Sequence, residues 1–191
     1  MKITATSVIL AVLIAASTLA FPQSQPPATP KTVTEILQRS LSNTETQFVD
    51  AADAMPADKF DFAPTSGEYK GVRSFGQLLK HTAATNMFVA SVLLGEKPPS
   101  SGFEGPDDVK GKEAIMRYVK DSFAAAHKAV DKVNKDSATD ALPNPFNPKG
   151  PDVTRLGMSL IFLGHTNDEY GQLVEYLRMN NIVPPASRPK K

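Results

Sequence analysis

Apolar positions recur at helical spacing in four separate stretches of this chain, and no segment shows the strict two-residue alternation of a half-buried strand. The first stretch opens on Thr32-Val-Thr-Glu35, a capping box in which a Thr side chain caps the helix and a Glu three residues on reaches back. Val33, Ile36, Leu37, Leu41, Phe48, Ala51, Ala52 and Met55 follow on one face, and Pro56 ends the helix. Ser74-Phe-Gly-Gln77 is a second capping box, followed by Leu78, His81, Thr85, Phe88, Val89 and Val92, with Gly95 as the stop. The third helix is expected from Gly111 to Asn134, with Ile115, Val119, Ser122, Phe123, Ala126, Val130 and Val133 on its inner stripe. The fourth runs from Asp152 to Asn181. Between them lie Pro- and Gly-containing stretches at 58–73, 96–110 and 135–151 that read as loops, with Leu142 and Phe146 as anchors in the last. Four helices with connections long enough for crossovers predict an all-α, up-down-down-up four-helix bundle.

The fourth helix departs from a simple amphipathic pattern. Met158, Ile161, Phe162, Leu173 and Tyr176 share one face with His165 and Glu169, so a polar pair four residues apart points into an apolar interior. Leu156, Leu160, Leu163, Tyr170 and Val174 lie on another side, and a helix apolar on two sides is either central in its bundle or part of a homodimer interface. Gly157, Gly164 and Gly171 are spaced by seven. Glycine inside a helix costs about 0.5–1 kcal/mol relative to Ala, so three in register suggest close approach by another backbone or a ligand.

The first twenty residues change the picture of where the chain works. Met1-Lys2, an apolar run and a small residue at Ala20 form the pattern of a secretory signal peptide, residues 1–20. Residues 21–30, rich in Pro, Gln, Ser and Ala, read as a disordered lead, residues 31–185 as the bundle and 186–191 as a tail. The expected destination is therefore periplasmic or extracellular, with no membrane span after cleavage. A formal net charge of +1 with dispersed Lys and Arg offers no footprint for nucleic acid. There is no cysteine, so neither disulfides nor a thiolate of the protein's own enter the chemistry.

With only three histidines in the chain, any imidazole-based site draws on His81, His127 and His165. His127 falls off the apolar stripe of its helix, beside Lys128 and Asp131, and reads as a surface residue. If helices two and four are neighbours, His81, His165 and Glu169 can converge on one divalent cation, in the manner of His₂Glu zinc sites or the two-histidine, one-carboxylate iron triad. The same residues also fit a core histidine satisfied by a hydrogen bond, and a His165–Glu169 pair on one helix face. Asp168 and Glu175 fall on the polar stripe and read as solvated. Tyr176 reads as a core aromatic whose hydroxyl finds a partner, or lends itself to a bound substrate.

The segments Phe62-Ala-Pro64, Gly71-Val-Arg-Ser-Phe75, Leu78-Leu-Lys-His81, His165-Thr-Asn-Asp-Glu-Tyr-Gly-Gln172 and Tyr176-Leu-Arg178 resemble the DinB/YfiT-like superfamily, over nearly all of residues 31–185. In that family a histidine of helix two and two histidines four apart in helix four bind a divalent metal. The resemblance implies His81, His165 and Glu169 as metal ligands here, with Glu169 where a histidine is typical. It implies a cation such as zinc, nickel, iron or manganese, with the carboxylate favouring a harder one. The family's transferases and isomerase use cytosolic thiol cofactors, which the expected export places out of reach. The expected function is thus a metal-dependent hydrolase or transferase acting on an unidentified small molecule. A non-catalytic bundle that binds a small ligand or a protein is the alternative.

Overall fold

The computed structural model describes residues 29–189, so the expected signal segment and residues 21–28 of the expected lead lie outside it. Four helices carry the fold: α1 (Val33–Ala54), α2 (Phe75–Leu94), α3 (Gly111–Val130) and α4 (Arg155–Met179). Both expected capping boxes form. Thr32 accepts from the Glu35 amide while the Glu35 carboxylate accepts from the Thr32 amide, and Ser74 and Gln77 do the same at the start of α2. Gly95 closes α2 with φ of 70°, a left-handed conformation that suits glycine.

Contacts at the helix ends fix the directions. The Thr34 hydroxyl donates to the Val133 carbonyl, and Lys112 reaches the Asp53 and Met55 carbonyls, so α1 and α3 are antiparallel. Gly76 lies against Ile115 at one end and Glu96 pairs with Lys128 at the other, which makes α2 and α3 parallel. Arg155 donates to the Leu93 carbonyl and the Tyr176 hydroxyl to the Arg73 carbonyl, so α4 runs back along α2. Each of α1 and α2 packs against α3 and α4, placing α1 and α2 at opposite corners. This is the up-down-down-up bundle, and both the 55–74 and the 131–154 connections cross a diagonal.

Phe48, Phe75, Phe123 and Phe162 are each no more than 1% exposed, and Phe48 meets Phe123 edge to face at 5.9 Å. The first crossing is pinned to α2 through its backbone: the amides of Phe75 and Gly76 donate to the carbonyls of Phe62 and Phe60 at 2.9 and 2.7 Å. Gly76 leaves room for this contact: a Cβ there would come to 3.2 Å of both Ile115 and the Phe60 carbonyl, tight enough that its neighbours would have to give.

The structure departs from the sequence pattern in three places. Helix α3 ends at Val130 rather than Asn134, its last residues forming turns that still bury Val133. Helix α4 starts at Arg155, capped by Thr154, because Val153 and Thr154 are taken up in a short antiparallel pairing of β1 (Ala141–Leu142) with β2 (Val153–Thr154). Two-residue strands are too short to show alternation. Of the two expected loop anchors, Leu142 packs on the core, whereas Phe146 remains 47% exposed. Among the described residues, no helix is long and apolar enough to cross a membrane.

Candidate metal centre

Helix α2 carries His81 two turns in from its N-terminus, and antiparallel α4 brings His165 and Glu169 opposite it. The Nε2 atoms of His81 and His165 are 3.2 Å apart, and Glu169 Oε1 lies 3.8 Å from the first and 3.5 Å from the second. A triangle with those sides has a circumradius of about 2.0 Å, the length of a zinc–nitrogen or zinc–oxygen bond. The donor set, two imidazoles and one carboxylate, suits a borderline divalent cation.

The spacing also bears on the readings that need no metal. A carboxylate hydrogen-bonded to an imidazole sits at about 2.7–2.9 Å. Glu169 stands further than that from both rings, in a separation typical of donors sharing one ion. Its other oxygen, Oε2, accepts from Gln172 Nε2 at 3.0 Å. His81 Nδ1 is 2.8 Å from the Phe103 carbonyl, and since a carbonyl only accepts, Nδ1 carries the proton and Nε2 presents its lone pair inward.

Electrostatically the pocket resists holding charge on its own. Burial drives His165 down to about 4, and the neighbouring His81 imidazole acts in the same direction. Burial likewise pushes Glu169 up to about 7, reinforced by the neighbouring Asp168 carboxylate and opposed by Arg73. A neutral imidazole and a carboxyl that ionises reluctantly are the states expected where a cation would supply the missing positive charge.

Around this centre lies a polar rim that the pattern of apolar residues did not single out. Arg73 binds Glu104 through two of its guanidinium nitrogens, and this contact holds the Glu104 carboxyl below its ordinary range. Glu104 belongs to the 3₁₀ turn Gly102–Glu104 that also presents the Phe103 carbonyl to His81. Tyr176 donates to the Arg73 carbonyl at 3.1 Å and packs edge to face on Phe62, so its hydroxyl is committed to structure. Arg73 lies within the segment Gly71-Val-Arg-Ser-Phe75, and Phe103 and Glu104 sit in an aperiodic loop with no local signal.

The remaining candidates lie elsewhere. His127 is half-buried rather than a free surface residue: its Nδ1 meets Gln38 Oε1 and its Nε2 lies 2.9 Å from Glu45 Oε2, because α1 crosses α3 at that edge. Asp168 is exposed, and Glu175 pairs with Arg178 at the surface, as expected of the polar stripe. The glycine stripe of α4 meets no backbone: among the described residues nothing lies within 4 Å of a Cβ placed at Gly164 or Gly171. Leu160, on the second apolar side of α4, is 49% exposed, so this helix is not enclosed by its own bundle.

No curated protein matches the chain. Among solved structures, it is similar to the crystal structure of a conserved protein from Enterococcus faecalis, with a TM-score of 0.62 and 18% identity, over 78% of this chain and 98% of that one. That likeness speaks to the arrangement of helices alone. The sequence profile of the DinB superfamily matches residues 40–173, a span that takes in His81, His165 and Glu169 as well as all but the ends of the bundle. Four helices in this order and a match over most of the chain make it a member of the DinB superfamily.

Proposed function

We propose that this protein is an exported metalloprotein in which His81, His165 and Glu169 hold one divalent cation, and that it works as a metal-dependent hydrolase or transferase on a small molecule. The single observation that carries the reading is the convergence of two Nε2 atoms and one carboxylate oxygen at separations of 3.2–3.8 Å inside an apolar bundle. A cation bound there would supply Lewis-acid polarisation of a substrate carbonyl or phosphoryl oxygen, or a water acidified toward neutrality. The protein's own groups supply the rest. Phe103 fixes the tautomer and ring plane of His81, Gln172 orients Glu169, and the Arg73–Glu104 pair holds the turn on which Phe103 sits. Export rests on the sequence of residues 1–20, and the metal-binding residues do not depend on it.

Metal analysis of protein purified without chelator tests the reading. Wild type is expected to carry about one equivalent of metal per chain, and His81→Ala and His165→Ala close to none. Metal-free wild type whose melting is unaffected by added Zn²⁺, Ni²⁺, Fe²⁺ or Mn²⁺ would leave a non-catalytic helical bundle.

A further inference from the structure

Beside the proposed centre lies an aromatic cluster that the metal chemistry leaves unused. Phe88, Phe103 and Phe146 come from three segments: α2, the Gly102–Glu104 turn and the connection between α3 and α4. Their ring centroids are 4.8 Å apart for Phe88 and Phe103, 5.7 Å for Phe88 and Phe146, and 6.0 Å for Phe103 and Phe146, the last pair inclined by only 24°. An anchor that merely fastened a loop would bury its ring, as Leu142 of the same connection does on the core. Phe103 and Phe146 instead remain 37% and 47% exposed.

Two links tie this cluster to the metal-binding residues. Phe103 supplies, through its own carbonyl, the acceptor that orients His81, so its ring is fixed in the residue that sets the ligand's geometry. Phe88 stands seven residues beyond His81 on α2, which places it on the same side of the helix about 10 Å further along. Of the charges close to Phe103 in sequence, Glu104 is turned to Arg73, and Phe146 is flanked by Pro145 and Asn147. The surface presented is apolar, with the Phe103 and Phe146 rings nearly parallel and the Phe88 ring inclined to them by 51° and 44°.

We propose that the Phe88–Phe103–Phe146 platform binds an uncharged aryl group of the substrate, whose polar end is held at the His81–His165–Glu169 centre. The proposal rests on the metal reading above and narrows its substrate to molecules with a polar reacting group tethered to an aromatic ring. Offset stacking on exposed phenylalanines, with the area it buries, should give about a tenfold gain in affinity over a ligand that has the polar group alone.

The test is calorimetric titration of the zinc-loaded protein with acetohydroxamate, a small metal chelator, and with hydroxamates carrying a phenyl ring on spacers of increasing length. The expected result is that at least one spacer binds about tenfold more tightly than acetohydroxamate, and that Phe146→Ala abolishes this gain without changing acetohydroxamate binding. Phe103→Leu, which keeps the carbonyl facing His81, serves as the second variant and should reduce the gain in the same way. If acetohydroxamate binds but no phenyl spacer improves on it, or the gain persists in both variants, the platform is overturned and the metal centre stands. Protein that takes up no zinc overturns the centre and the platform with it, whereas zinc-loaded protein that binds no acetohydroxamate keeps the metal site and overturns the platform, because no polar end can then be held there.

Discussion

Replacing Glu169 by Gln separates a metal ligand from a carboxylate that merely stabilises the bundle, because the two roles move stability in opposite directions. In the metal-free protein the Glu169 carboxyl is raised from 4.5 to about 7, chiefly by burial. A carboxyl whose folded pKa lies above its unfolded value favours the folded state below about pH 4.5, and that contribution is lost as the pH climbs to 7. At 1.36 kcal/mol per pH unit, the wild-type side chain costs about 1 kcal/mol near pH 5.5 and about 3 kcal/mol near pH 8.5. The amide is nearly the same shape and can still accept from Gln172, but has no charge to bury. Urea unfolding in excess chelator should therefore show Glu169→Gln more stable than wild type, by an amount that grows by about 2 kcal/mol between those two pH values. Added zinc should reverse the order near pH 5.5, where the about 2.7 kcal/mol contributed by binding at a hundredfold excess over Kd exceeds the cost of the carboxylate, and should close most of the gap near pH 8.5. A variant less stable than wild type near pH 8.5 in chelator, or a difference that does not change with pH, would refute the argument.

Three further outcomes follow from the same geometry. Arg73→Ala frees the turn bearing Phe103; the lost ion pair is half-exposed and costs stability by no more than about 1 kcal/mol, while zinc affinity should fall about tenfold or more by competition titration. With chelator present, His165 works against folding as the pH falls from 6.5 toward 4, because it stays neutral when folded down to about 4 but takes up a proton earlier when unfolded, and in wild type the reprotonation of Glu169 offsets this loss. His165→Gln should therefore gain stability relative to wild type over that range in a denaturation series. Phe162→Ala, at 1% exposure in the middle of α4, should cost about 3–5 kcal/mol in urea unfolding.

The helices were legible because their signals are local. Thr32 with Glu35 and Ser74 with Gln77 announce two starts, Gly95 one stop, and the spacing of Leu37, Leu41, Phe48 and Ala52 a buried face, each within a turn or two of the residue it governs. The start of α4 was misplaced by three residues since Thr154 acts as its cap only once Val153 has paired with Leu142, a partner eleven residues away. At the centre, His165 and Glu169 were readable as polar positions on an apolar stripe, and His81 by the same rule. What sequence could not supply was the rim: Phe103 enters through a backbone carbonyl, which every residue has, and Glu104 meets Arg73, thirty-one positions earlier, and lies 3.9 Å from His81 Nδ1, twenty-three positions earlier. Likewise His127 looked solvated from its own helix because the acceptors it meets, Gln38 and Glu45, belong to α1.

The order of helices around the bundle has a consequence for when the proposed centre could take up a cation. His81 and His165 are separated by 84 residues, and α4, the last of the four helices along the chain, brings two of the three donors. Before α4 is made, His81 is the one donor of the three that is present. Under the proposed function, capture of a cation waits for α4 to dock antiparallel to α2, so the metal supply at the place where α4 docks selects which ion is taken.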